Sequence, residues 1–302
     1  MQSRYSGVEM NFCDLCPRRC PVDRQNQTGF CQMPAQLKIA RAGLHFWEEP
    51  VISGERGSGT VFFSGCNLRC VFCQNHDIST GGNGKFVTVE RLREIYRELI
   101  AKGAHNINLV TPSHYLTPIL ESLTPALPVP VVWNSNGYEA VDQLKKLDGK
   151  VDIYLPDLKY SDNRLAAKCS GANDYFETAC AAIDEMYRQV GNFEFDDDGM
   201  LKRGVIIRHL ILPGEIENSL KVIEYVSSRF SPGEVLFGLM RQYIPCGIVS
   251  GEKYPELNRQ VTDEEYQIVE AALFASGIED GYVQDESSAS KEFIPDFDGS
   301  GV

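Results

Sequence analysis

No stretch of the 302-residue chain approaches the roughly 18 apolar residues that a bilayer-spanning helix needs, so no membrane partner is expected. Basic residues are also scarce: 29 Lys and Arg stand against 42 Asp and Glu, for a formal net charge of −13. Nucleic-acid binders carry a clustered basic footprint, and the longest basic clusters here are Arg18-Arg19 and Lys145-Lys146. A DNA or RNA partner is therefore disfavoured. No internal repeat and no heptad pattern is visible, which leaves the oligomeric state open. The polar stretch Met1 to Asn11 lacks the apolar core of a signal peptide, and the expected location is the cytoplasm.

What is present is an alternating pattern. Apolar residues make up 43% of the chain and charged residues 24%, enough for an ample core. Thr60 to Ser64 is a short β-branched and aromatic run and reads as a strand. A helix follows, capped by Thr88 and stopped by Gly103, with Val89, Leu92, Ile95, Tyr96 and Leu99 on one stripe. Strands are then expected at 107–110, 129–133, 151–155, 205–212 and 235–239. The intervening helices are expected at 114–123, 139–147, 162–167, 174–190 and 218–230. Thr262 with Glu265 forms a capping-box signature for a last helix to Ala275. Six strand–helix units imply an α/β fold with a parallel sheet, a partial (β/α)6 barrel. Phe193 to Arg203 breaks the rhythm as an acidic hairpin turning at Asp198-Gly199. The expected division is a cysteine-rich metal knuckle with its extension at 1–50, the barrel at 51–284, and a loosely packed tail at 285–302.

Ten cysteines in a cytosolic chain suggest metal binding or redox chemistry before disulfides. Cys169 and Cys180 read as core. Cys66, Cys70 and Cys73 form a C-x3-C-x2-C triplet directly after the first strand, where barrels of this kind carry their active sites. Thiolates suit iron–sulfur clusters, and a fully held [4Fe–4S] cube takes four. Three ligands leave one iron open for a substrate. The alternative is a zinc knuckle completed by a distant Cys or His.

The triplet, with Phe72 in the aromatic position before its last cysteine, resembles the radical S-adenosylmethionine (SAM) superfamily. The resemblance implies a [4Fe–4S] cluster on Cys66, Cys70 and Cys73, SAM bound at the open iron, and an electron donor such as flavodoxin or ferredoxin. It extends over roughly residues 58 to 245. Asn134-Ser-Asn136-Gly137, Asp157-Leu-Lys159 and the strand bearing Arg208 resemble elements of glycyl-radical-enzyme activating enzymes, such as the pyruvate formate-lyase-activating enzyme. On that likeness Asn134, Asp157, Lys159 and Arg208 belong near SAM, the cations pairing with its carboxylate or hydroxyls, and a partner glycyl radical enzyme is implied. Two departures stand out. The family's Gly-Gly-Glu element is replaced by Asn108 to Ser113, so Thr111 is left to accept hydrogen bonds from the SAM amino group. Asn134 also stands where those enzymes often carry Asp.

Cys13, Cys16, Cys20 and Cys31 form a four-thiolate set, hence a closed site that is structural or electron-transferring. Zinc and a second iron–sulfur cluster both fit. Cys246, just past the sixth strand, is a candidate hydrogen donor or substrate contact, or a small loop hydrophobe. His76, three residues past Cys73, is placed to approach the cluster, and His114 and His209 lie near strand ends, though a lone histidine is more often structural. Arg69 lies inside the cysteine loop. Three functions follow: activation of a glycyl radical enzyme, radical modification of a small molecule or peptide, or a non-enzymatic metal-knuckle protein for binding or electron transfer.

Overall fold

A computed structural model describes residues 12–284 and 288–302; Met1 to Asn11 and the start of the tail at Asp285 lie outside the described residues. The strands, in chain order, are β1 (Lys38–His45), β2 (Ser58–Phe63), β3 (Lys85–Phe86), β4 (Ile107–Val110), β5 (Val131–Ser135), β6 (Ile153–Pro156), β7 (Glu194–Phe195), β8 (Leu201–Leu210), β9 (Leu236–Met240) and β10 (Gly281–Val283). The helices are α1 (Pro50–Ser53), α2 (His76–Ser79), α3 (Val89–Ala101), α4 (Leu116–Ser122), α5 (Val141–Leu144), α6 (Asn163–Ser170), α7 (Tyr175–Val190), α8 (Ile216–Arg229) and α9 (Asp263–Ala275).

The sheet order is β10-β9-β8-β6-β5-β4-β2-β1-β3, with β7 paired to β8. From β2 to β10 every neighbouring pair along this path is parallel, while β1 runs antiparallel to β2 and β3. The end strands β3 and β10 do not pair, so the barrel is partial and open. The six expected strands are β2, β4, β5, β6, β8 and β9. β10 extends the parallel run beyond them, and β1 extends the sheet on the other side.

Local chemistry explains the helices. Thr88 Oγ1 accepts from Arg91 N at 3.2 Å and caps α3, which buries Leu92, Ile95, Tyr96 and Leu99. In α9 the capping box is complete: Thr262 Oγ1 accepts from Glu265 N, and Glu265 Oε2 accepts from Thr262 N. The helix expected at 139–147 is shorter, one turn of α5 and a 3₁₀ turn. Glu139 is buried instead, its carboxylate accepting from Ser113 Oγ at 2.6 Å and Trp133 Nε1 at 3.2 Å. The acidic hairpin is present, with Asp196 Oδ1 accepting from Asp198 N and Met200 N around the turn.

Apolar burial fills the lower half of the barrel. Val132, Ile153, Leu155, Ile206 and Leu236, from four neighbouring strands, pack with Ile52 of α1 in one apolar cluster. A larger core lies between the sheet and its surrounding helices. The tail was expected to pack loosely, but its described part is docked. Gly299 N donates to Ala40 O and Ala42 N donates to Ser300 O, both at 3.0 Å. Phe297 meets the Phe62 ring at 5.4 Å. The physical reason is the outer edge of β1, whose unpaired backbone groups need partners.

Candidate active site

With the lower barrel filled, the upper half holds a cavity of about 480 Å³ at the carboxyl ends of the strands. Its wall includes Cys70, Cys73, Asn134, Asp157, Lys159 and Arg208. This is the size range of small-molecule sites.

The cysteine loop leaves β2 through Gly65 at φ 86°, where a Cβ would lie 2.3 Å from Met33 Cγ, so only glycine fits. Val71 N donates to Cys169 O at 2.9 Å, pinning the loop to the end of α6. Every sulfur of the triplet receives donors. Cys66 Sγ accepts from Leu68 N at 3.4 Å and Asn136 Nδ2 at 3.3 Å. Cys70 Sγ accepts from Ser170 Oγ at 2.9 Å, and Cys73 Sγ from Ser79 Oγ at 3.3 Å. Burial pushes the Cys73 thiol up to about 12, with Cys70 and Cys66 close enough to add to the shift. Cys70 is raised by burial as well, against the pull of Lys159. Converging buried sulfurs with hydrogen-bond donors, and a nearby cation, are the donor set that a cluster bound as thiolates requires.

Behind the cysteines lies a charged network. Lys159 Nζ donates to Asp157 Oδ2 at 2.6 Å, and Arg208 Nε donates to Asp157 Oδ1 at 3.0 Å. Arg208 Nη2 donates to Asn134 Oδ1 at 2.7 Å, and Arg208 Nη1 to Glu48 Oε2 at 3.1 Å. Asn134 Nδ2 donates to Glu48 Oε1 at 3.1 Å. Arg208 Nη1 also lies 3.8 Å from Glu49 Oε1. Asp157 is held below the usual carboxylate range by Lys159 and Arg208, despite burial. Burial raises Glu48, and raises Glu49 to about 7, against the pull of Arg208. The Tyr175 hydroxyl clamps the strand ends, at 2.8 Å from both Asn136 O and Asp157 O while accepting from Lys159 N.

The structure thus gathers Cys70, Cys73, Phe72, Thr111, Asn134, Asp157, Lys159 and Arg208 on one cavity wall. Thr111 sits at φ 58°, a strained conformation for a β-branched residue. Cys246 is not brought to that wall: its thiol donates to Phe72 O at 3.0 Å, on the back of the cysteine loop. His114 and His209 are buried away from the cavity, their rings bonded to Ser64 O, and to Leu158 O and Ser219 Oγ. Burial lowers them to about 3 and about 4, so both stay neutral near pH 7. His76 lines a second hollow on the outer side of the loop, with Arg69 and Phe30. The reading of the sequence missed Glu48 and Glu49, whose only signal is an acidic pair before Pro50.

The N-terminal thiols also adjoin one another. Burial pushes Cys16 to about 12, with Cys13, Cys31 and Cys20 adding to the shift. Among the described residues, however, no three or more His, Cys, Asp or Glu side chains are spaced to hold one metal ion. A cube spreads its ligands over its corners, wider than the shell of a single ion, so this bears on zinc more than on a cluster. Arg18, between Cys16 and Cys20, ties the knuckle to the loop. Its Nε donates to Asn67 O at 2.8 Å, Nη2 to Ser170 O at 3.0 Å and Nη1 to Gly171 O, while its guanidinium lies 3.9 Å over Phe30.

Against known proteins, a family model described as the Radical SAM superfamily matches residues 60–226, more than half of the chain. An uncharacterised protein of Methanocaldococcus jannaschii is 32% identical over 265 residues, covering 84% of this chain and 72% of that protein. Among solved structures, Streptococcus suis SuiB bound to S-adenosylmethionine is 11% identical with a TM-score of 0.48, over 73% of this chain and 48% of SuiB. Methylornithine synthase is 15% identical with a TM-score of 0.47, over 70% of this chain and 60% of that one. The chain therefore spans about half the length of SuiB. Among the described residues, no helix is long and apolar enough to cross a membrane.

Proposed function

The chain belongs to the radical SAM superfamily, which implies SAM and a [4Fe–4S] cluster, and on that premise we propose that it is an activating-type enzyme that abstracts hydrogen from a glycine backbone of a partner enzyme. The observation that carries the reading is one cavity wall shared by the Cys70 and Cys73 sulfurs and the Asn134–Asp157–Lys159–Arg208 network.

Cys66, Cys70 and Cys73 would hold the cluster, with the fourth iron left to SAM. Bound there and reduced by a flavodoxin or ferredoxin, the cluster would supply the one electron for reductive cleavage of the SAM sulfonium. The protein's part is binding, orientation and the exclusion of water. Ser170, Ser79 and Asn136 orient the three sulfurs and favour their charged form. Lys159 and Arg208 offer donors to the SAM carboxylate or its hydroxyls, and Asp157 fixes both cations in place. Thr111 and Phe72 close the wall beside them. The N-terminal cysteines are assigned to a second, closed metal site, and Cys246 to holding the loop.

The test is anaerobic reconstitution with iron and sulfide, reduction, addition of SAM and measurement of 5′-deoxyadenosine. Co-incubation with candidate partners should then give a glycyl radical signal by electron paramagnetic resonance. Persistent absence of that signal from a fully reduced, SAM-cleaving protein would remove the activating role. A second reading, modification of a small molecule or peptide, is favoured by the Glu48–Glu49 pair, because a neutral glycine backbone needs no buried anions. Its mark would be a modified metabolite in extract treated with active enzyme.

A further inference from the structure

The cavity base sets three carboxyl groups against two cations. Glu48, Glu49 and Asp157 face Arg208 and Lys159, with side-chain exposures between 10% and 16%. The cations are not shared evenly. Arg208 bonds Glu48 and Asp157 at 3.0–3.1 Å, whereas it reaches Glu49 Oε1 only at 3.8 Å, leaving the backbone N–H of Glu49 itself as that carboxyl's nearer donor. Glu49 Oε2 is buried with no hydrogen-bond partner. An orphaned, buried carboxylate oxygen is costly unless something donates to it.

A second orphan lies nearby. Asn108 is fully buried on β4, two residues before the cavity-lining Val110, and neither its amide oxygen nor its nitrogen has a partner in hydrogen-bonding geometry. It is still close enough to Glu48 to favour that carboxylate's charged form. Space for an occupant exists too. Gly238 on β9 presents no side chain towards Glu49, and both line the cavity. His45, the other basic group on the wall among the described residues, is lowered to about 4 by burial and brings no charge at neutral pH.

We infer that Glu49, with Glu48 behind it, is the receptor for a primary ammonium group entering the cavity. A metal ion fits less well, because Arg208 stands among the carboxylates and no group spaced for an ion exists among the described residues. A water would satisfy a lone pair and leave the charge. A primary ammonium brings a compact positive charge and three donors. The ammonium would be an amino group of the substrate, because the amino group of SAM would go to the open iron as a neutral amine. The assignment takes its cavity from the radical SAM reading above, and names what that cavity recognises.

The experiment uses the reconstituted full chain at constant ionic strength, titrated with n-butylammonium and n-butanol as probes and followed by Trp fluorescence, since Trp47 lines the cavity. Saturable binding of the ammonium and not the alcohol is expected, with affinity falling at least about tenfold in Glu49→Gln, a loss of roughly 1.4 kcal/mol. Glu48→Gln should fall in the same direction. Competition of the probe with SAM, together with weaker SAM binding by Glu49→Gln, would overturn the assignment. If the probe binds alongside SAM, the group is the substrate's. Equal ammonium binding by wild type and both variants, or no preference over the alcohol, overturns the assignment. The same samples are assayed for 5′-deoxyadenosine. Ammonium discrimination without product from the wild type would sink the radical reading and leave the receptor standing.

Discussion

The Cys66–Cys73 loop and the Cys13–Cys31 knuckle are joined through Arg18, yet their sulfurs have different surroundings. In the loop every sulfur accepts from a designated donor, and two of the three face a cavity beside Lys159. In the knuckle the sulfurs adjoin each other, and the nearby arginines go to main-chain carbonyls: Arg18 to Asn67, Ser170 and Gly171, and Arg24 to Met33, Pro34 and His114. Three thiols beside an open cavity suit a site that must admit a ligand. Four adjoining thiols, two of them buried and none on the cavity wall, suit a site that must not.

The sharpest way to break this contrast is to remove one ligand from each group. Cys70→Ala should abolish 5′-deoxyadenosine formation, whereas Cys16→Ala should lower iron or zinc content and leave measurable turnover. Equal loss from both would erase the distinction. Ser170→Ala, which removes the donor to Cys70 and with it the partner of the buried Tyr160 hydroxyl, should reduce turnover by about 10–100-fold, as outer partners of metal ligands do.

Arg208→Met leaves Glu48 and Asp157 without their shared cation in the cavity and should destabilise the protein by about 3–5 kcal/mol in urea denaturation. Arginines of the knuckle should cost less.

Neither Cys16 nor Cys73 should shape the acid side of the stability profile of the metal-free protein, since thiols raised to about 12 stay protonated from pH 5 to 8 in the folded state. Buried carboxylates should. Burial raises Glu139 from 4.5 to about 7. Between those values the folded protein keeps a proton that the unfolded chain has released, so this group makes stability fall as pH rises through the window. Relative to Glu139→Gln, wild type should lose on the order of 2–3 kcal/mol between pH 4.5 and 7. Parallel profiles for the two proteins would contradict this.

The smallest effect is expected at the seam itself. Arg18→Gln removes hydrogen bonds to three carbonyls and should cost about 1–2 kcal/mol, with faster proteolysis within residues 13–31 than in the barrel. Unchanged cleavage rates would show that the knuckle docks by other means.

Much of this was legible because local signals agreed with the fold. β4 runs over Ile107–Val110 as read, and the caps at Thr88 and Thr262 mark α3 and α9. The parallel rhythm and the cysteine triplet placed the cavity on the correct end of the strands. β1 was harder, because Lys38 to His45 mixes charged and apolar residues without strict alternation and takes its form from β2. β10 is three residues long, below what periodicity can detect. Glu48 and Glu49 were invisible for a physical reason: an acidic pair before Pro50 reads as a solvated turn. Only tertiary pairing with Arg208 shows that it is buried.

The strap that residues 296–300 lay along β1 bears on synthesis as well as on shape. A ribosome delivers Arg41 long before Asp296, 255 positions later in the chain, to whose carbonyl it donates. Throughout that interval the outer side of β1 beyond its short pairing with β3 is a bare strand edge on a nascent chain. Its cover arrives only after the barrel strands have emerged. A chaperone, or any neighbouring chain with a free strand, would find its opening there, during translation, at an edge that the finished molecule no longer shows.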